Sequence, residues 1–253
     1  AIDLAIDNER LVRHITQGGQ TPAHGPMPDF YRAMGYESPP PDTYNPKKAK
    51  ELLAEAGFPG GVGLPPVQLI YNTLESHRLI AEFAQRSLKE TLGLEVVLEN
   101  MEWKSLLKRL RGGDFHMSRA AWCCLPDPWD HFLIFWSKSE NNYGGYSNPE
   151  FDRIFEEAKS ITDTRKRMAL YRQAEEIIQR DRPITTLYHY TRVYLKQPVL
   201  RGVFVDLQNK HPMRYLYWGD RPDMTPHPAV QAVLDEDARC AAEAPTKAVP
   251  ETP

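Results

Sequence analysis

The sequence predicts an α/β fold, and three observations carry that prediction. An apolar strand pattern, Val67 to Tyr71, is followed by a helical pattern, Ser76 to Leu92, and then by an alternating strand through Leu94, Val96 and Leu98. Strand-helix-strand units of this length cross over right-handed and leave their strands parallel. A further strand, Phe115 to Trp122, runs straight into an irregular stretch, Arg119 to Ser147, with three tryptophans, adjacent Cys123 and Cys124, and a Pro126-Asp127-Pro128 turn. Ligands of open α/β sheets sit outside the carboxyl ends of strands. An aromatic, polar insert in that place suits a ligand site held by a rigid scaffold, and it also suits a plug for a core.

The other elements follow in order. Asp7 caps a helix through Gln17 that ends at Gly18-Gly19, with Ile6, Leu11, Val12 and Ile15 as its apolar members. The prolines between Thr21 and Tyr44 argue against regular structure and for an extended surface path. Asn45-Pro46 opens a helix through Ala49, Leu52, Leu53 and Ala56, stopped by Gly57, and Pro59 to Pro66 is a turn-rich linker. Ser105 to Leu110 forms a short helix with a basic face. Asn148-Pro149 starts another helix with Phe151, Ile154, Phe155 and Ala158 on one side, and Thr164 to Arg180 a further one, broken by Pro183. Ile184 to Tyr190 is β-rich, with Tyr194-Leu195 extending or pairing with it, and Val203 to Val205 and Tyr215 to Trp218 read as short strands. From Gly219 to Pro253 the chain is rich in Pro, Ala and charge and reads as a disordered tail with one short helix from Ala229 to Ala242.

With 253 residues, 41% of them hydrophobic, the chain can build a real core. A net charge of -3 gives no electrostatic case for nucleic acid or an anionic membrane. The opening Ala1-Ile-Asp-Leu-Ala-Ile-Asp7 reads as the middle of a domain, which points to a longer parent, and the sequence is silent on export. Cys123, Cys124 and His131 lack the Cys-x2-4-Cys spacing of a zinc site, so neither a metal nor another cofactor is expected. Asp127 and Asp130 could form a hydrolytic carboxylate pair, but they sit in one loop, whereas such acids usually flank a substrate from different elements.

Eleven segments, in order, carry a resemblance: Leu4-Ala-Ile-Asp-Asn-Glu9, Tyr71-Asn-Thr-Leu-Glu-Ser-His77, Leu92-Gly-Leu-Glu-Val96, Glu102-Trp103, Gly113-Asp-Phe115, Arg119-Ala-Ala-Trp122, Pro126-Asp-Pro128, Phe132-Leu133, Gly145-Tyr-Ser-Asn-Pro-Glu-Phe-Asp152, Leu170-Tyr-Arg-Gln-Ala-Glu175 and Leu187-Tyr-His-Tyr-Thr191. Together they resemble the C-terminal half of a family 5 extracellular solute-binding protein, the oligopeptide and dipeptide receptor group of ABC importers. The resemblance implies the second lobe of a two-lobe periplasmic-binding-protein-like fold (type II, cluster C) plus a segment returning to the first lobe. On that reading residues 1–198 are the ligand-binding lobe, 199–218 the returning strand segment and 219–253 the tail.

The resemblance also implies a function: a non-enzymatic receptor that closes over a peptide or other small solute and delivers it to an ABC permease, in the periplasm or outside the cell. An alternative is a sensing or protein-docking module derived from such a receptor. Carried over by position, the ligand-binding residues are Arg119, Trp122 and Cys123, while the aspartate that pairs the ligand's amine in peptide-binding relatives is replaced by Leu125. Either Asp127 substitutes for it or the ligand lacks an α-amine. Arg119 can pair a ligand carboxylate or an internal acid, Trp122 and Trp129 can stack on a ligand or join the core, and Asp127 can face inward or cap its own turn.

Overall fold

The computed structural model describes residues 1–40, 43–122, 127–204, 210, 212–220 and 231. By its contacts the chain divides into two units, 1–192 and 193–253.

In the first unit the Asp7 carboxylate accepts the Arg10 amide and starts α1 (Asn8–Leu11), which runs on as a π-turn to Thr16 and stops at a left-handed Gln17. β1 (Thr21–Pro22) follows, and then the proline-rich stretch, where the structure departs from the expectation of a surface path. Pro28 leads into a 3-10 helix, Asp29–Met34, and Met27, Tyr31 and Tyr36 are buried in the largest core cluster. Proline forbids hydrogen-bonded ladders but not single 3-10 turns, and three large apolar side chains outweigh the pull of the prolines toward solvent. Asn45 caps α2 (Pro46–Glu55), which buries Ala49 and Leu53.

The sheet comes next. β2 (Val67–Asn72) lies between β3 (Val96–Met101) and β4 (Met117–Ser118), parallel to both. Alternation along β2 sends Leu69 and Tyr71 to one face, against Ala81, Ala84 and Leu88 of α3 (Glu75–Leu92) and Leu53 of α2. It sends Ile70 to the other, against Leu106 and Leu110 of α4 (Trp103–Gly112). Two helical layers thus cover the sheet, which is why its central strand is apolar on both sides. The strand expected over Phe115 to Trp122 pairs only at Met117 and Ser118, with the Arg119 amide adding a last bond to the Ile70 carbonyl. Phe115 packs beside Leu106 instead.

At the opposite end of the crossover, Gly93 stops α3 with φ 69 and lies against Gly60, whose carbonyl occupies the space a Cβ at position 93 would need.

The remaining helices build a separate core. α5 (Trp129–Phe132) and a 3-10 turn, Leu133–Phe135, bury Phe132 and Phe135 against α6 (Pro149–Ser160) and α7 (Thr164–Asp181). Trp129 stacks on Phe155 at 5.9 Å and Phe155 on Phe151 at 5.9 Å, so much of the aromatic insert is core. Asn148 and Asp163 cap these two helices, and a left-handed Arg182 ends α7. β5 (Tyr188–His189) then pairs antiparallel with β1.

Glu175, fully buried on α7, accepts a hydrogen bond from Tyr36, and its Oε1 faces Gly25 so closely that a Cβ there would collide with it. Burial pushes this carboxyl up to about 7, against the pull of Tyr36, Ser38, the Met27 backbone and Gln179, all of which favour the charged form.

In the second unit β6 (Leu200–Arg201) pairs antiparallel with β7 (Tyr217–Trp218). Leu195 is wholly exposed and outside any strand, contrary to the expected extension of the β5 region, and Val203 is unpaired. Tyr215 closes a 3-10 turn. Val205 and nearly all of the expected tail, its short helix included, lie outside the described residues.

Two outcomes follow. Because the Glu175 carboxyl titrates higher when folded than its ordinary 4.5, its stabilising contribution is complete below about pH 4.5 and is lost as pH rises through about 7, a change of about 3 kcal/mol. Denaturant melts from pH 4.5 to 8.5 should show Glu175→Gln gaining on the wild type by that order as pH rises, and parallel curves would refute the assignment. Gly93→Ala should cost at least about 1–2 kcal/mol, since it puts a side chain into a left-handed residue facing a carbonyl, and a substitution neutral in the same melts would contradict the clasp.

Candidate ligand-binding site

Parallel pairing brings the carboxyl ends of β2, β3 and β4 to one edge. From β4 comes Arg119, buried to 9% exposure although no carboxylate among the described residues lies within ion-pairing reach of it. Its Nη2 donates instead to two phenol oxygens, those of Tyr188 at 3.1 Å and Tyr190, and its guanidinium lies 5.8 Å from the Tyr190 ring centre. Both phenols come from the segment that includes β5. Burial pushes the Tyr188 phenol up to about 12, and its hydrogen bond with Tyr190 adds to this.

Asn72, the last residue of β2, and His77, in the first turn of α3, face each other with Oδ1 and Nδ1 2.8 Å apart. Burial lowers the His77 imidazole below its usual range, and the nearby Arg119 charge lowers it further. Leu74, which precedes α3 in the turn after β2, and Trp103, the first residue of α4 after β3, are half exposed at these strand ends. A buried cation, two phenols, a neutral imidazole and exposed apolar groups together suit a ligand with a carboxylate and apolar parts.

The five residues singled out in the sequence are distributed differently. Arg119 lies at the centre of this edge. Trp122 is partly buried, and its indole N–H donates to the Asp130 carbonyl at 2.7 Å, which pins the end of the β4 segment to the following loop. Trp129 turns to α6, between Phe155 and Lys159. Asp127 is occupied: Oδ1 accepts the Trp129 amide at 2.9 Å and the Tyr171 hydroxyl at 3.3 Å, and Oδ2 pairs with Arg167 at 3.1 Å. Cys123 lies outside the described residues, as does Leu125.

Behind the loop, Tyr31 Oη and His131 Nδ1 are 3.1 Å apart, and burial lowers that imidazole to about 4, so it remains neutral. Among the described residues no cluster of His, Cys, Asp and Glu could hold a metal, and no helix is long and apolar enough to cross a membrane.

Sequence reasoning missed Tyr188, Tyr190, Asn72 and His77 as site residues. The two tyrosines carried a signal, since residues two apart in an extended segment share a face. The strand-turn Asn72 and His77 carried a weaker one, their place at a carboxyl strand end.

The same architecture occurs in known proteins. The crystal structure of a Borrelia burgdorferi periplasmic oligopeptide-binding protein, OppAIV, superposes with a TM-score of 0.78 and 29% identity over 86% of this chain and 44% of that one. In sequence the chain is 32% identical over 235 residues to the dipeptide-binding protein DppE of Bacillus subtilis, covering 87% of this chain and 41% of that protein. It is 32% identical over 207 residues to the periplasmic oligopeptide-binding protein OppA of Escherichia coli, covering 80% and 38%. The chain thus spans about two fifths of the length of the curated relatives it matches. Its fold is one lobe of the type II binding-protein class, as the sequence resemblance implied. Residues 1–144 match the family described as bacterial extracellular solute-binding proteins, family 5 middle, and the chain belongs to that family of solute-binding proteins.

Proposed function

We propose that this chain is the ligand-binding lobe of an ABC importer's substrate-binding component, capturing a peptide or peptide-like solute outside the cytoplasmic membrane and delivering it to a membrane permease. The observation that carries the reading is the Arg119 guanidinium, buried beside phenols with no acid among the described residues paired to it. A buried cation without a counter-charge costs several kcal/mol, and a bound carboxylate removes that cost. The phenols of Tyr188 and Tyr190 accept from the guanidinium and share one hydroxyl hydrogen between them, so one hydroxyl hydrogen remains to donate to the same anion.

The chemistry required is capture and release. Ligand contacts made in a closed state shift a closure equilibrium, and no covalent step is needed. The relatives OppA and DppE bear the names of binding proteins. The hydrolytic alternative loses support because one of its two acids, Asp127, is bound by Arg167 and Tyr171.

Calorimetric titration with tri- and tetrapeptides should give one-to-one binding without turnover. Arg119→Gln should weaken it by about tenfold to a hundredfold, the worth of hydrogen bonds to a charged group, while leaving the melting temperature equal or higher, because an uncompensated buried charge has been removed. A lower melting temperature with unchanged affinity would make Arg119 structural and overturn the assignment.

A further inference from the structure

We propose that the solute held at this edge is a carboxylate with no free ammonium group, an N-acylated peptide being its simplest form. The inference rests on the reading of Arg119 above and narrows its ligand class.

It comes from the fate of each acid around the edge. Glu75, which opens α3, is bound by the Arg78 guanidinium through both oxygens, at 3.1 and 2.5 Å, and that contact holds it below the usual carboxylate range. Glu102 caps α4, accepting the Lys104 and Ser105 amides at 2.7 and 3.4 Å. Asp127 is shared between Arg167, Tyr171 and the Trp129 amide. Asp130 is buried to 7% exposure behind the loop, where its charge, with that of Asp127, acts on Tyr31. The four residues between Trp122 and Asp127 are Cys, Cys, Leu and Pro and bring no acid.

Among the described residues, each of these carboxylates is thus paired at the surface, as Glu75 is with Arg78, spent on a cap or an internal bond, or buried behind the loop. What faces the ligand is Arg119, a neutral His77, an Asn72 amide, phenols and apolar surface. An ammonium brought here leaves water, meets a like charge in Arg119 and finds no unengaged carboxylate among the described residues, which is unfavourable twice over. An acylated nitrogen carries no charge, and a single hydrogen bond to an amide or a phenol satisfies it.

The test uses two peptides that differ only in that group, Ala-Ala-Ala and N-acetyl-Ala-Ala-Ala, titrated into the protein by calorimetry at pH 7 and at pH 9.5. The expected result is that the acetylated peptide binds at least about tenfold more tightly at pH 7. The free peptide should gain affinity at pH 9.5, where its α-amine, with an ordinary pKa of about 8, has lost its charge. A free peptide that binds as well as or better than the acetylated one at pH 7, or loses affinity on deprotonation, overturns the inference and leaves the peptide-receptor reading intact. Failure of both peptides to bind overturns that reading and this inference with it.

Discussion

A parallel ladder leaves the carboxyl ends of all its strands on one edge, and this geometry fixes where the chain can do chemistry. β2 is hydrogen-bonded on both sides, so its position is determined twice. Its flanking carbonyls also reach the site: Ile70 accepts the Arg119 amide, and Met101 accepts Thr73 at 2.8 Å. The backbone of Arg119 is thus the last rung of the sheet and not the first residue of a loop. The rung fixes where this side chain starts, and the buried guanidinium is met by what packs around it. Helices α3 and α4, pressed on the two faces through Leu69, Tyr71 and Ile70, keep the rung in register.

The second constraint is the aromatic core under the following loop. Phe132, Phe135, Phe151, Phe155 and Tyr171 interlock with ring centres 5.5 to 6.2 Å apart. Such a core can hold a loop, but it cannot satisfy the loop's polar groups. Asp127, Tyr171, Arg167 and the Trp129 amide do that among themselves, and Trp122 returns a bond to the Asp130 carbonyl. Packing and these bonds together hold the segment from Asp127 to Phe135 against α6 and α7. Of the two readings of the insert that composition left open, the core plug holds for the part from Trp129 to Trp136, and the Arg119 end lies at the strand edge, where a ligand is proposed.

Much of this was legible in the residues. Periodicity and glycine stops located α3 and its flanking strands to within a few residues, and Asn45, Asn148 and Asp7 cap the helices they announced. These signals are local, and each rests on backbone groups a few positions away. The burial of Tyr31 and Tyr36 was not legible, because a proline-rich segment reads as extended until the surface it covers is known. The early end of β4 was hidden for a similar reason: an apolar run shows that a segment can pair, and only the neighbouring strand decides for how long. The phenols on Arg119 lie 69 and 71 residues away in sequence, and no spacing rule joins them.

Glu175 and Arg119 set the same problem, a charge-bearing group sealed in the fold without an opposite charge, and their chemistry allows different solutions. A carboxyl can take up a proton. Glu175 does so near neutral pH, becomes a neutral hydrogen-bonding group beside Tyr36 and Gly25, and needs nothing from outside. A guanidinium holds its proton throughout the range in which proteins fold. Arg119 therefore remains a cation, and its hydrogen bonds to Tyr188 and Tyr190 offset only part of its lost hydration, which is the deficit that the proposed carboxylate ligand would close. Two buried groups are thus separated by acidity: the one that can neutralise itself suits the scaffold, and the one that cannot is the group for which a ligand is proposed.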